Sequence, residues 1–157
     1  MNSEAMVAAL SSYLTATGVD VDEELSRTSL VLSTETKQLA RNGLFDTDRM
    51  LRRLEQALDE ALRDNFDGLF ASGDMAWEFG PKKDFSRLLE YEWRLEQFFR
   101  EHPQFAALCQ YHVDTLPKEV LRAGAITHEM IFVNEALSVP NPNYIQAECT
   151  TMRSLNF

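Results

Sequence analysis

Nowhere in these 157 residues does an uninterrupted apolar run approach the roughly 20 residues that a membrane-crossing helix needs. The first fourteen residues also lack the basic cluster that opens a secretory signal, so a cytoplasmic location is expected. Cysteine is scarce. Cys109 and Cys149 make too thin a framework for a disulfide-stapled secreted domain, and Cys109 lies in an apolar run, where a buried thiol is the ordinary outcome. Glycine appears six times and never in a phosphate-cradling pattern such as G-x-x-x-x-G-K-[ST] or G-x-G-x-x-G. No nucleotide site and no cofactor are therefore expected. Positive charge is short as well: 15 basic against 25 acidic residues leave a formal net charge of −10, a field that repels phosphate backbones. The densest basic group, Arg49, Arg52 and Arg53, alternates with Asp48 and Glu55 like a solvated helix face. Direct nucleic-acid binding is not expected.

What is present is the alternation of an α/β protein. Ser3 can cap a helix carrying Met6, Val7, Leu10, Tyr13 and Leu14 at helical spacing, and Gly18 is its natural stop. An acidic turn of helix over 21–26 precedes a compact β run at 29–33 (SLVLS), and a short helical piece over 36–40 ends at Asn42–Gly43. Asp46 then caps the cleanest helix. Met50, Leu51, Leu54, Ala57, Leu58, Ala61 and Leu62 trace one stripe on it, with Arg52, Arg53, Gln56, Asp59 and Arg63 opposite. A strand enters at Leu69 and is expected to break at Ser72–Gly73–Asp74; a helix follows from about Asp84 to Arg100. The run FAALCQY (105–111) reads as a strand, Pro117 as the first turn of a helix reaching about Ala123, and MIFV (130–133) as the last strand. Apolar strands alternating with helices predict three layers, with a mostly parallel sheet of about four or more strands covered by helices on both faces. The expected domain covers residues 1–144. Residues 145–157 form a tail that either leads into a linker or packs as a final extended segment.

In an open parallel sheet, ligands gather beyond the carboxyl ends of the strands. That rule brings residues 33–36, 72–77 and 110–114 to one border, with Asp74, Trp77, Tyr111, His112 and Asp114 among them. Trp77 offers an apolar wall with one donor for a small, weakly polar ligand, or else plugs the end of the core. Glu92 falls within the stripe Phe85, Leu88, Leu89, Leu95 and Phe99, where a carboxylate must find a donor or take up a proton. It can anchor a ligand or a neighbouring loop, or cap a turn after a strand. Tyr91 lies on the flank of the same stripe. Cys109 and His112 are spaced C-x-x-H, but on a strand they face opposite sides, and His102, His128 and Cys149 supply no supporting spacing. No metal site is expected. No paired nucleophile and base is visible, so an enzyme is not expected either.

Gly68 through Trp77 (GLFASGDMAW), Tyr91–Glu92, Leu108 through Tyr111 (LCQY) and Asn141 through Tyr144 (NPNY) occur in this order, after Gly43–Leu44–Phe45–Asp46 and a long helix. Taken together they resemble the MEDS (methanogen/methylotroph DcmR sensory) domain over about residues 6–144. The resemblance implies a RecA/KaiC-like ATPase core without a working phosphate loop, and a sensory role toward small hydrocarbon derivatives such as halomethanes. It also implies company with helix-turn-helix or histidine-kinase modules, so a kinase or regulator is a possible partner. The site residues expected on these grounds are Asp74, Trp77, Tyr91, Glu92, Cys109 and Tyr111. Relative to the family pattern, a leading strand, helix and strand are missing here, giving an N-terminally shortened sheet. An uncovered sheet edge invites pairing, so a homodimer is expected. The alternative function is a non-catalytic interaction module on an ATPase-like fold.

Overall fold

In the computed structural model, the described residues are 3–33, 40–41, 44–75, 85, 87–134 and 137–146. The chain divides into two units, Met1–Gln38 and Leu39–Phe157, each described by itself.

The first unit holds α1 (Ser3–Ala16) and α2 (Val21–Ser26). Gly18, at φ +93°, ends α1 in a left-handed turn: its amide bonds to the Thr15 carbonyl and the Val19 amide to that of Leu14. This double closure satisfies carbonyls the helix would otherwise leave open. The Asp20 carboxylate caps α2 by accepting from the Glu23 amide at 3.0 Å. The β run expected at 29–33 is not a strand. Ser29 folds back onto α2, donating to the Glu24 carbonyl at 3.1 Å, and Val31 is 74% exposed. Among the described residues of this unit there is no strand for the run to pair with.

The second unit begins with a short antiparallel pair, β1 (Ala40–Arg41) and β2 (Leu44–Phe45). Ala40 thus belongs to a strand, while residues 36–39 and Asn42–Gly43 lie outside the described residues. Helix α3 (Thr47–Arg63) starts where the cap predicts, the Asp46 carboxylate accepting from the Arg49 amide at 3.0 Å. It ends at Asn65, φ +66°, with the same two-bond closure as α1. Its stripe buries Met50 and Leu58.

A βαβ unit follows: β3 (Leu69–Asp74), α4 (Leu88–Glu101) and β4 (Phe105–Gln110). β3 and β4 run parallel with Leu69 opposite Phe105, Gly73 opposite Cys109 and Asp74 opposite Gln110. β3 does not break at Ser72–Gly73–Asp74 as the turn-forming residues suggested. An equally long parallel neighbour takes up its backbone groups through Asp74, and that outweighs local turn preference. The described helix α4 begins at Leu88, and Asp84 lies outside the described residues. Helix α5 (Lys118–Thr127) packs on α4 and runs past Ala123, through Gly124, to Thr127.

The final elements depart most from expectation. β5 (Met130–Asn134) pairs antiparallel with β6 (Leu137–Pro140), not with β3 or β4. Among the described residues the parallel sheet therefore has two strands, where about four were expected, and three separate two-stranded sheets are present. The protein is a mixed α/β structure with a small parallel sheet. After β6, the chain is fastened rather than loose. The Asn141 amide bonds to the Glu129 carbonyl at 2.8 Å and the Ile145 amide to that of Ile126 at 2.8 Å. Of the expected tail, residues 145 and 146 are described, and residues 147–157 lie outside the described residues. No helix among the described residues is long and apolar enough to cross a membrane.

The core of this unit forms where α3, α4, β4 and α5 meet. Leu58, Leu88, Tyr91, Leu95, Phe105 and Val120 are buried in it, and Met75, at the end of β3, is completely enclosed. Fixing both strand ends against α4 and α5 is what positions the polar groups described next.

Candidate functional site

Glu92 sits on the buried face of α4 between Leu88 and Leu95, as the helical stripe requires, and is 3% exposed. It has found its donor in Tyr111, just beyond β4, whose hydroxyl donates to Oε1. The other oxygen, Oε2, faces the imidazole Nε2 of His128 at 3.6 Å. Burial pushes the Glu92 carboxyl above the usual carboxylate range, against the opposing pull of His128 and of the Tyr111 hydroxyl.

Each partner is oriented by backbone. His128 ends α5, with Nδ1 2.7 Å from the Gly124 carbonyl oxygen. A carbonyl only accepts, so Nδ1 carries a proton, and in the neutral ring Nε2 presents its lone pair toward Glu92. The Tyr111 ring meets the His128 ring edge to face, centroids 5.8 Å apart. It also lies against α5 at Gly124, where a Cβ would stand 2.5 Å from two ring carbons. Only glycine lets the phenol pass the helix and reach Glu92, which explains a glycine inside a helix despite its cost there. Cys109 completes the group: one ligand atom each from Glu92, Cys109 and His128 lies within 4.8 Å of the others.

Of the six residues expected at the site, Glu92, Cys109 and Tyr111 come together. The strand alternation that put Cys109 and Tyr111 on one side holds, and His112, on the other, is exposed. Tyr91 is buried but turns its ring edge-on to Phe45, centroids 5.0 Å apart, making it a core residue. Asp74 ends β3 beside Gln110, on the shared border of the strands. Trp77 lies outside the described residues. Sequence reasoning weighed His128 and set it aside, and it did not consider Gly124. His128 is 36 residues from Glu92 and 19 from Cys109, spacings that carry no periodic signal. Gly124 could have been noticed as a glycine inside an otherwise regular helix.

The border is therefore built by a βαβ unit and the following helix, with a tyrosine-held buried carboxylate at its centre. The family model described as MEthanogen/methylotroph, DcmR Sensory domain matches residues 1–129. The chain belongs to the MEDS family. No curated protein and no solved structure matches it. The matched segment of this MEDS domain includes Glu92, Cys109, Tyr111, Gly124 and His128, the whole cluster; β5, β6 and the 141–146 segment fall beyond it.

Proposed function

We propose that this MEDS domain is a sensory module of a signalling or transcription-regulating system, working by binding rather than turnover. It takes a small, weakly polar molecule, of the hydrocarbon-derivative class, at the border formed by the ends of β3 and β4. The observation that carries the reading is the Glu92–Tyr111 hydrogen bond with His128 beside it. A buried carboxylate that retains a hydroxyl and an imidazole offers both acceptor and donor to a ligand group, within walls that are otherwise apolar. Kinship with the RecA/KaiC core, in which further strands would widen the sheet, belongs to the same reading and is supported by the parallel βαβ unit.

Thermal-shift and calorimetric titrations against small halocarbons, alcohols and amphiphiles test this. At millimolar ligand, a rise in melting temperature is expected for the natural chain. Gly124→Ala, which drives the Tyr111 ring off α5, is expected to lose most of that response while remaining folded by circular dichroism. A panel with no response at millimolar concentration would sink the sensory reading.

A second reading, a protein-interaction module, is favoured by the β5–β6 hairpin. Consecutive strand residues face opposite sides, yet Met130, Ile131, Phe132 and Val133 are all between 41% and 53% exposed. Both faces of β5 are thus apolar and open, a surface that suits an isologous contact with a second copy or a kinase or regulator partner. Light scattering at micromolar concentration is expected to show a homodimer that Phe132→Lys converts to a monomer. A monomeric natural chain would remove the homodimer.

A further inference from the structure

We propose that Glu92, Cys109 and His128 form a three-ligand centre for a divalent transition metal of the zinc class, with a fourth position open to an exogenous molecule.

Nδ1 of His128 is held by the Gly124 carbonyl at 2.7 Å, which leaves Nε2 as the ring nitrogen that faces Oε2 of Glu92, 3.6 Å away. A nitrogen and a carboxylate oxygen that face each other at this distance are two of the donor atoms that a metal ion takes. The third member decides the class. A thiol brought within 4.8 Å of both completes a mixed nitrogen, oxygen and sulfur set, which suits zinc-like ions and is foreign to calcium or magnesium. The spacing agrees: ligands held about 2.0–2.3 Å from a tetrahedral ion stand roughly 3.3–3.8 Å apart. The carboxylate–imidazole separation already falls in that interval, and the sulfur lies within 4.8 Å of both.

Supporting groups complete the picture. A metal-bound histidine ordinarily donates its far N–H to a carbonyl, as His128 does to Gly124, and a ligating carboxylate is itself hydrogen-bonded, as Glu92 is by Tyr111. Among the described residues three ligands converge, and three protein ligands is the pattern that leaves a coordination site free. The centre deepens the sensory reading and rests on it for its purpose, since an open metal position would bind the polar or halogen end of a small molecule.

Cobalt(II) and zinc(II) chlorides are the probes, added to the reduced, chelator-stripped full chain. One cobalt per chain is expected, with the intense visible bands of a tetrahedral site and a near-ultraviolet thiolate charge-transfer band, both bleached by one equivalent of zinc. Cys109→Ser should abolish the charge-transfer band, and His128→Gln should weaken binding. Tyr111→Phe, a positioning change, should keep the band and weaken affinity by about ten-fold or more. Should the variants fail to fold, the spectrum of the natural chain decides alone. Weak, featureless octahedral cobalt, or unchanged binding in Cys109→Ser and His128→Gln, overturns the centre. Ligand-dependent thermal shifts in a chain that binds no metal would overturn it while leaving the sensory reading intact. A bound ion without any small-molecule response would instead support the centre and count against the sensory reading.

Discussion

Gly68→Ala is expected to lower the unfolding free energy by about 3 kcal/mol, at the upper end of what overpacking usually costs. A Cβ at this position would stand 2.1 Å from the Gln104 carbonyl oxygen, the same atom that accepts from the Leu69 amide at 3.0 Å to open the β3–β4 pairing. The obstacle is main chain, so no side-chain rotation relieves it, and the two strands must part where their register begins. Gly18→Ala is the matched comparison. There the penalty is the left-handed φ alone, since nothing lies within 4 Å, and about 1 kcal/mol is expected. Urea unfolding followed by circular dichroism measures both. Equal losses would show that the close approach at Gly68 is not what holds the strands in register.

Leu95→Ala is expected to cost about 2–5 kcal/mol, the range for truncating an enclosed leucine. Leu95 is 2% exposed, one turn beyond Glu92 on the same face of α4, packed into the core shared with Leu58, Leu88 and Phe105. The void would open directly beside the buried carboxylate and loosen its alignment with Tyr111 and His128. Leu10→Ala, at a leucine 46% exposed on α1, is expected to stay within about 0.5 kcal/mol of the natural chain. Chemical denaturation of the pair checks the contrast, and a loss below 1 kcal/mol at Leu95 would contradict the burial described here.

Features encoded within one turn or one strand could be read from the sequence. Asp46 marked the start of α3, Gly18 the end of α1, and the stripe of α4 exposed Glu92 as the one carboxylate that had to find a donor. Alternation along β4 placed Cys109 with Tyr111 and apart from His112. Pairing across the chain was not readable. SLVLS and MIFV look alike as apolar β runs, yet one folds back on a helix and the other joins a hairpin, because partner choice depends on what stands opposite in space. Ser72–Gly73–Asp74 carries turn chemistry and still completes a strand, since β4 offers six residues of ladder. His128 lacked any local mark. Its role arises only when the end of α5 is brought to α4.

Asn141 gives that arrangement a mechanical consequence. It is buried, and its side-chain amide donates to the carbonyls of both Ala125 and His128, at 2.7 Å for the latter, while its oxygen accepts from the Asn143 amide at 3.0 Å. One residue thus rivets the last turn of α5, the imidazole's own backbone and the segment leaving β6 into a single lever. A shift of the His128 main chain would therefore be felt at the root of the β5–β6 hairpin, whose exposed apolar strand lies at the other end of the same tie.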